Sequence, residues 1–151
     1  MNQNDDTTVG ERAAYVLDDQ VGFLLRLASQ RHTAIFQDSP AFDLTPTQLA
    51  AIVRLAQIGE CSQNELGRQT AMDVATIKGV VDRLRQKGLV VTRPDPLDRR
   101  RTLLSLSPGT EAMIADIHEF GLQISRKTLA PLTAAERTTF LRLLRKLSEV
   151  G

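Results

Sequence analysis

The chain has 151 residues, a formal net charge of +1, one cysteine and no tryptophan. This length favours one domain with its own hydrophobic core, and one cysteine excludes an intrachain disulfide, a zinc site of several cysteines and an iron–sulfur cluster. The N-terminus is acidic and polar, and no stretch approaches the ~18 apolar residues of a membrane span. We therefore expect a protein of the cytoplasm without a secretory signal.

The chain is expected to begin with a disordered tail over residues 1–11, which are polar and show no periodicity. A single domain is predicted over residues 12–151. Apolar residues recur at helical spacing from Ala14 to Phe36, which predicts one long first helix, and the segment around Pro40 ends it.

Two further helices open with capping signals. The segment from Thr45 to Gln48 combines a threonine N-cap, a proline in the first turn and a glutamine that can reach back. The helix behind it is expected to end near Gly59. The segment from Ser62 to Glu65 has the pattern of a capping box and predicts a short helix.

A fourth helix and a β-hairpin follow. Asp73 is a suitable N-cap and Gly88 a suitable end, since glycine enters the left-handed conformation without steric cost. The predicted buried stripe of this helix comprises Val74, Ile77, Val80, Val81 and Leu84. Two β-prone runs, 89–93 and 102–106, then flank the polar loop 95–101, as in a hairpin.

Two helices are predicted after the hairpin. The first starts at Pro108, ends near Pro131 and carries a long apolar stripe. That stripe comprises Met113, Ile114, Ile117, Phe120, Gly121 and Ile124. The second opens with a capping box from Thr133 to Glu136. It is expected to direct four residues inward, namely Phe140, Leu141, Leu144 and Leu147.

This order of elements is that of a winged helix-turn-helix, mainly α-helical with a small β-hairpin as the wing. Its winged core spans about residues 45–106. The flanking helices, about 14–37 and 107–149, carry more apolar surface than this core can cover. Such helices commonly form a homodimer with twofold symmetry. A monomer with a large helical core is the alternative.

Charge is unevenly distributed along the chain. Residues 78–101 contain eight basic and three acidic side chains, a net charge of +5, whereas the rest of the chain carries −4. A nucleic-acid surface is marked by such local charge rather than by the total. We therefore predict binding to double-stranded DNA, with the two recognition helices of a dimer in major grooves about one helical turn apart on a palindrome.

These motifs, in this order, resemble those of the MarR family of transcriptional regulators over about residues 16–147. The segments that carry the resemblance are Leu44 to Gln48, Leu66-Gly67, Asp73 to Thr76, Val81 to Leu84, Lys87 to Val90, Asp95 to Arg100 and Leu106 to Gly109. Among members of this family, residues 67–79 look most like regulators of nicotinate and hydroxylated aromatic-acid catabolism.

The resemblance implies a homodimeric winged-helix DNA binder, usually a repressor that a small phenolic or aromatic acid releases. It also implies a ligand pocket between the dimerisation helices and the DNA-reading lobe. Where relatives often carry a polar residue and then arginine in the recognition helix, this chain has Lys78 and Gly79. Its operator sequence therefore cannot be transferred from better-known members.

Four candidate DNA contacts lie in the first turns of the recognition helix, whose N-terminal residues reach base edges. Lys78 is a candidate for guanine, and Thr76 for a thymine methyl group or a phosphate. Ala75 and Gly79 allow close approach. The alternative for all four is a solvated helix face.

The wing and the neighbouring helices supply the other candidates. Arg99 and Arg100 are expected in a narrow minor groove, with Asp98 in a local pair that orients one of them. Arg101 is expected to point to the phosphates or to the protein body. The candidate phosphate contacts are Gln63, Asn64, Arg68, Arg83 and Arg85. An ion pair with a wing acid is the alternative for Arg83.

A ligand site is predicted with the help of the resemblance. His32 lies near the end of the first helix, where the family's pocket lies, and a cationic or hydrogen-bonding group among apolar walls suits an aromatic carboxylate. The predicted lining comprises Leu24, Leu27, Ala28, Arg31, His32, Ile52, His118 and Phe120. The alternative for His32 is a surface or core histidine without a ligand.

No catalytic constellation is recognisable in the sequence, which has no nucleophile–base set, phosphate-binding loop or HExxH motif. Neither enzymatic activity nor a metal or other cofactor is expected. Cys61 is expected to be a small, partly buried residue rather than an oxidation sensor, because a second cysteine is missing. A winged helix that binds proteins instead of DNA is the rival function, but it would not need three adjacent arginines in its wing.

Overall fold

The computed structural model describes residues 12–39 and 41–149, and the predicted tail 1–11 lies outside them. The helices are α1 (Val21–Gln37), α2 (Pro46–Ile58), α3 (Gln63–Gln69), α4 (Val74–Gln86), α5 (Pro108–Thr128) and α6 (Ala134–Ser148). The strands are β1 (Glu60–Ser62), β2 (Val90–Pro94) and β3 (Thr102–Leu106). The predicted class, mainly α with a small winged sheet, is confirmed. None of the helices in the described ranges has the length and hydropathy needed to cross a membrane.

The first helix is shorter than predicted. Leu17–Asp19 form a 3-10 turn, and Gln20 is extended with φ −86° and ψ 134° before α1 begins at Val21. The Gln20 Nε2 donates a hydrogen bond to the Val16 carbonyl at 2.9 Å. The prediction of one helix from Ala14 was wrong because apolar spacing continues across this break in the backbone.

Two of the predicted capping boxes form completely. In α2, the Gln48 N–H donates to the Thr45 hydroxyl and the Thr45 N–H donates to the Gln48 Oε1, both at 3.3 Å. In α6, Thr133 and Glu136 exchange the same two bonds at 2.9 and 3.2 Å. These bonds satisfy donors that the first turn of a helix leaves unpaired.

The capping box predicted at Ser62 forms only in half. The Glu65 N–H donates to the Ser62 hydroxyl at 3.3 Å. The Glu65 carboxylate binds Arg68 and Gln69 instead of the Ser62 backbone. These side chains lie one turn further along α3, and the hydrogen bonds from Gln69 and Arg68 lower the pKa of Glu65.

The wing is part of a three-stranded antiparallel sheet in the order β1-β3-β2. Strand β1 was not predicted, since three residues are too few to show periodicity. Its Cys61 pairs with Leu104 of β3, so the wing is joined to the turn that leads into α3. On the open face, Arg93 of β2 donates two hydrogen bonds to the Glu60 carboxylate across β3, at 2.6 and 2.7 Å. This pair lowers the pKa of Glu60 and ties the outer strands together.

The main core lies between α2, α4, α5 and the sheet. It comprises Ala51, Ile52, Leu55, Cys61, Leu66, Ile77, Val80, Val81, Leu84, Val90, Leu104, Leu106 and Ile117. A close approach of α3 to α4 completes it. A Cβ at Gly67 would lie 3.1 Å from the Ile77 Cγ2 and 3.2 Å from the Met72 carbonyl oxygen. Glycine at this position therefore allows α3 and α4 to pack closely, and a Cβ there would displace Ile77 or Met72 by a few tenths of an ångström.

A second, smaller core joins α1 to α5. Phe36 is packed edge-to-face on Phe120 with ring centroids 5.4 Å apart, and Phe42 contacts the same ring at 5.5 Å. Ile124 completes this cluster. The apolar stripe predicted for α5 is confirmed by this cluster and by Ile117 in the main core.

Among the described residues, the apolar faces of α1 and α6 are left largely exposed. Phe36 is the only buried residue of α1, and α6 has none. The inward direction predicted for Phe140, Leu141, Leu144 and Leu147 is thus not realised within one chain, although the first three line a cavity. The prediction of a buried face on α6 is therefore not met by the described residues of one chain.

The C-terminal end of α4 is anchored to the start of α2. The Lys87 ammonium donates to the Gln48 Oε1 at 3.1 Å and to the Asp43 carbonyl. Gly88 follows with φ +72°, as predicted for a glycine helix end. The recognition helix is therefore held to the body at this end as well.

Replacement of Gly67 by alanine should lower the free energy of unfolding by about 1–3 kcal/mol, because the added methyl group overpacks the α3–α4 contact. Urea denaturation followed by circular dichroism measures this. Gly109, in the first turn of α5, is the control, since a Cβ there has no neighbour within 4 Å. Equal losses for G67A and G109A would contradict the tight contact.

Candidate nucleic-acid interface

The N-terminus of α4 is capped by Asp73, as predicted. Its Oδ1 accepts the Thr76 N–H at 2.7 Å, and this backbone hydrogen bond lowers the pKa of Asp73. Ile77, Val80, Val81 and Leu84 form the buried face. Ala75, Thr76, Lys78 and Gly79 therefore lie on the faces of the helix that point away from the core, as the sequence predicted.

Val74 is an exception to the predicted stripe. Its side chain is 70% exposed, so its assignment to the core was wrong. The packing of α3 on α4 is centred on Gly67 and Ile77, and Val74 lies beyond this contact as the first residue of the helix. A branched apolar side chain therefore stands at the end of the recognition helix that reaches base edges.

The charged side chains of α4 are positioned by their neighbours on the helix. The Lys78 ammonium donates to the Asp82 carboxylate at 2.9 Å, in an exposed pair of the kind that contributes little and opens readily. The Arg83 Nη1 lies 3.6 Å from the Cβ position of Gly79, so its guanidinium extends back over the glycine. No ion pair between Arg83 and a wing acid forms in the described residues.

The wing loop is held in one shape by its two aspartates. Asp95 is buried, its carboxylate accepts the Leu97 N–H at 2.9 Å, and its own N–H donates to the Arg101 carbonyl at 2.9 Å. The predicted local pair of Asp98 is present, since its Oδ1 lies 3.5 Å from the Arg100 Nε and also accepts the Arg100 backbone N–H at 3.1 Å. The arginines are thus carried on a preformed loop.

A polar groove of about 540 Å³ lies between the start of α3 and the wing. Its lining residues are Ser62, Gln63, Asn64, Arg68, Arg100, Arg101 and Thr102. Five of these were predicted DNA contacts on separate segments, and the pairing of β1 with β3 brings them together. Guanidinium, amide and hydroxyl groups along one groove are the donors that contact DNA phosphates.

Eight of the thirteen predicted contacts lie outside this groove, among them two exposed arginines. Arg99 is exposed in the turn of the wing loop, and Arg85 is exposed in the last turn of α4. The position of Arg99 suits entry into a minor groove. Arg85 is at the opposite end of the recognition helix from Val74 and Lys78, which suits a phosphate contact better than a base contact.

Cys61 lies on β1 beneath the same groove, and its side chain is buried. Burial raises the pKa of its thiol, and the nearby Glu65 and Glu60 raise it further. A thiol of this kind is a poor nucleophile at neutral pH. The surroundings of Cys61 therefore agree with the expectation of a small buried residue rather than an oxidation sensor.

A second concave site, a cavity of about 360 Å³, lies between α1, α5 and α6. It is lined by Leu25, Ala28, Ser29, His32, Ser125, Thr128, Leu129, Phe140, Leu141 and Leu144. The Thr128 hydroxyl donates to the Ile124 carbonyl at 2.9 Å, so its oxygen accepts from the His32 Nδ1, also at 2.9 Å. This network assigns a proton to Nδ1 and leaves Nε2 for another partner.

Only Ala28 and His32 of the eight predicted ligand residues line this cavity. Arg31 donates to the carbonyls of Lys127 and Thr128 at the end of α5, at 3.1 and 3.4 Å. The other five lie elsewhere: Ile52 and Phe120 are buried in the two cores, and Leu24, Leu27 and His118 are exposed. Six of the eight predicted residues therefore do not line this cavity, because the sequence does not reveal that α6 lies beside α1 and α5.

Among residues 12–39 and 41–149, no group of three histidine, cysteine or acidic side chains is arranged to hold a metal ion. The structure instead combines a recognition helix with an exposed N-terminus, a preformed arginine wing and a donor-lined groove between them. Together these features define a winged helix-turn-helix DNA-binding protein.

The chain belongs to the MarR family. Residues 42–101 match the family model, described as "MarR family". The Pseudomonas putida repressor NicR is 41% identical over 138 residues, which cover 91% of this chain and 87% of NicR. The protein is therefore a DNA-binding transcriptional regulator, and the predicted family is confirmed.

Solved structures agree with this assignment. A probable transcriptional regulator from Pseudomonas aeruginosa superposes with a TM-score of 0.84 and 51% identity, covering 87% of this chain and 99% of that one. Bordetella bronchiseptica BpsR, whose DNA binding is regulated by 6-hydroxynicotinic acid, superposes with a TM-score of 0.85 and 39% identity. The match covers 92% of this chain and 100% of the BpsR chain.

Replacement of Arg99 and Arg100 together by alanine should weaken binding to duplex DNA and reduce the slope of log affinity against log salt by up to about two units. Fluorescence anisotropy on a labelled random-sequence duplex at several salt concentrations measures both. Arg126→Ala is the control, because Arg126 is exposed on α5 and pairs with Glu119 at 3.2 Å. An unchanged slope in the double variant would remove the wing from the interface.

Peroxide should not change the DNA affinity of the protein, because the raised thiol pKa of Cys61 leaves little thiolate at neutral pH. The same pKa should make alkylation of native Cys61 by iodoacetamide slow at pH 7 and faster as the pH rises. Mass spectrometry and anisotropy measure the two effects. A loss of DNA binding on peroxide treatment that Cys61→Ser abolishes would show that Cys61 is a sensor.

Proposed function

We propose that the protein is a repressor that binds a palindromic operator as a homodimer and leaves it when a small aromatic acid binds. The observation that carries this proposal is the cavity between α1, α5 and α6. It lies between α5 and the two helices, α1 and α6, whose apolar faces are left largely exposed among the described residues. The polar groove, by contrast, is on the winged core. The proposed ligand site and the proposed DNA site are thus two separate surfaces of one chain.

The homodimer follows from the exposed apolar side chains. They occur at both ends of the described chain, as Val21, Leu24 and Leu25 on α1 and Leu143 and Leu147 on α6, each more than a third exposed. Patches of this kind mark interaction sites. A second copy of the same faces covers them with twofold symmetry, which also places two recognition helices on one side for a palindromic site.

The cavity has the chemistry for an aromatic acid. Its walls are mainly leucine and phenylalanine side chains, and His32, Ser29 and Ser125 contribute polar groups. Small-ligand sites typically combine apolar walls with a few polar groups that fix orientation. The regulation of BpsR by 6-hydroxynicotinic acid supports this class of effector. The proposed place of action is the cytoplasm, where the operator is.

The helices around the cavity connect it to the winged core. Arg31 of α1 binds the end of α5, and Phe36 packs on Phe120 of α5. A ligand that separates α1, α5 and α6 therefore changes how the two halves of the dimer are held. Differences in DNA affinity produced in this way typically correspond to ~1–3 kcal/mol.

The operator is tested by footprinting on the upstream region of the gene itself and on duplexes selected from a random pool. We expect protection of an inverted repeat with half-sites about one helical turn apart. Protection of a single half-site by a monomer, or of no site at moderate salt, would refute the proposed repressor.

Release is tested with 6-hydroxynicotinate, nicotinate and benzoate on the same duplex. His32→Ala should raise the concentration of 6-hydroxynicotinate needed for release by about tenfold, because a hydrogen bond to a charged ligand is lost. His118→Ala is the matched control, since His118 is exposed on α5 outside the cavity. Equal release curves for H32A and the wild type would show that the effector binds elsewhere.

A further inference from the structure

Exposed apolar side chains occur on the winged core as well as on the dimerisation helices. The most prominent are Leu97 in the wing, 94% exposed, and Val74, 70% exposed, at the start of the recognition helix. We propose that Val74 determines sequence specificity by recognising the C5 methyl group of a thymine in the major groove. This inference rests on the proposed binding of an operator.

The position of Val74 carries the argument. It is the first residue of α4, and the N-terminal residues of a recognition helix are those that reach base edges. It lies one turn before Lys78 on the same side of the helix, since residues four apart share a face. Ala75 and Gly79, beside them, have little or no side chain to keep the helix away from the bases.

The side chain is also fixed before DNA arrives. The Asp73 cap holds the first turn through its 2.7 Å bond from the Thr76 N–H. A valine in a helix has one strongly preferred rotamer, so its two methyl groups point in one direction. Little conformational freedom is therefore lost when these methyl groups are buried against a base.

Thymine is the partner that this chemistry selects. It alone presents an apolar group in the major groove, whereas the other bases present only donors and acceptors. Valine has no polar atom to pair with them, so burial of a cytosine amino group or a purine edge against Val74 is unfavourable. Discrimination thus comes both from a gained apolar contact and from the penalty on the wrong base.

The spacing on the helix predicts where the thymine lies. Four residues correspond to about 6 Å along a helix axis. Successive base pairs are about 3.4 Å apart along the duplex, so Val74 and Lys78, on a helix inclined to the duplex axis, reach base pairs at most about two steps apart. A guanine contacted by Lys78 and a thymine contacted by Val74 are therefore expected in the same half-site within this separation.

The test compares thymine with uracil, which differs only by the missing methyl group. A binding duplex is first selected from a random pool with the wild-type protein, and each thymine is then replaced singly by uracil. We expect one uracil per half-site to weaken wild-type binding by about fourfold, the effect of burying one methyl group. Val74→Ala should bind the thymine and uracil duplexes equally at that position.

Val91→Ala provides the matched control, because Val91 is an exposed valine on β2 and undergoes the same change. It should keep the wild-type preference for thymine. If no uracil weakens wild-type binding, or if V74A keeps the fourfold ratio, the role of Val74 is refuted while operator binding stands. If the wild type selects no sequence at all, the proposed function itself fails.

Discussion

The geometry of the reading motif depends on the contact of α3 with α4 at Gly67. With the Ile77 methyl group and the Met72 carbonyl oxygen little more than 3 Å from the position of a Cβ, no other residue fits there without displacement. The contact fixes which face of α4 enters the core and hence which side chains remain outside. Because β1 leads directly into α3 and pairs with the wing, the same contact also sets the relation between the recognition helix and the arginine loop.

The exposed surface is divided between two kinds of chemistry. Around the wing and α3, most prominent side chains are cationic or amide groups, and the ion pairs among them are solvated and weak. On α1 and α6 they are leucine, valine and phenylalanine. The near-neutral total charge of the chain conceals this division. Val74 is informative because it is an exposed apolar side chain at the start of the recognition helix, outside the apolar faces of α1 and α6.

Local signals allowed much of the fold to be predicted. The caps at Thr45, Asp73 and Thr133 are short-range hydrogen bonds, which depend only on neighbouring residues, and all three form. The spacing of apolar residues was less reliable where burial depends on tertiary packing. Val74 fits the apolar stripe of α4 by spacing, but it lies beyond the contact with α3 and is exposed. The donor groove was not predictable as a unit, because it depends on the register of a three-residue strand. Most of the cavity residues were missed for another reason, since the position of α6 beside α1 and α5 is not encoded in local spacing.

The anchoring of α4 at both ends limits how an effector can release the protein from DNA. One end of the helix is capped by Asp73, and the other is bound through Lys87 to Gln48 at the start of α2. Both ends of the recognition helix are thus fixed to the winged core, so we expect helix and core to move together. What an effector changes in the proposed dimer is the distance and angle between two intact lobes. The effect of an effector on DNA binding then depends on the number of base pairs between the half-sites. Operators with the same half-sites but different spacing would therefore respond differently to the same compound.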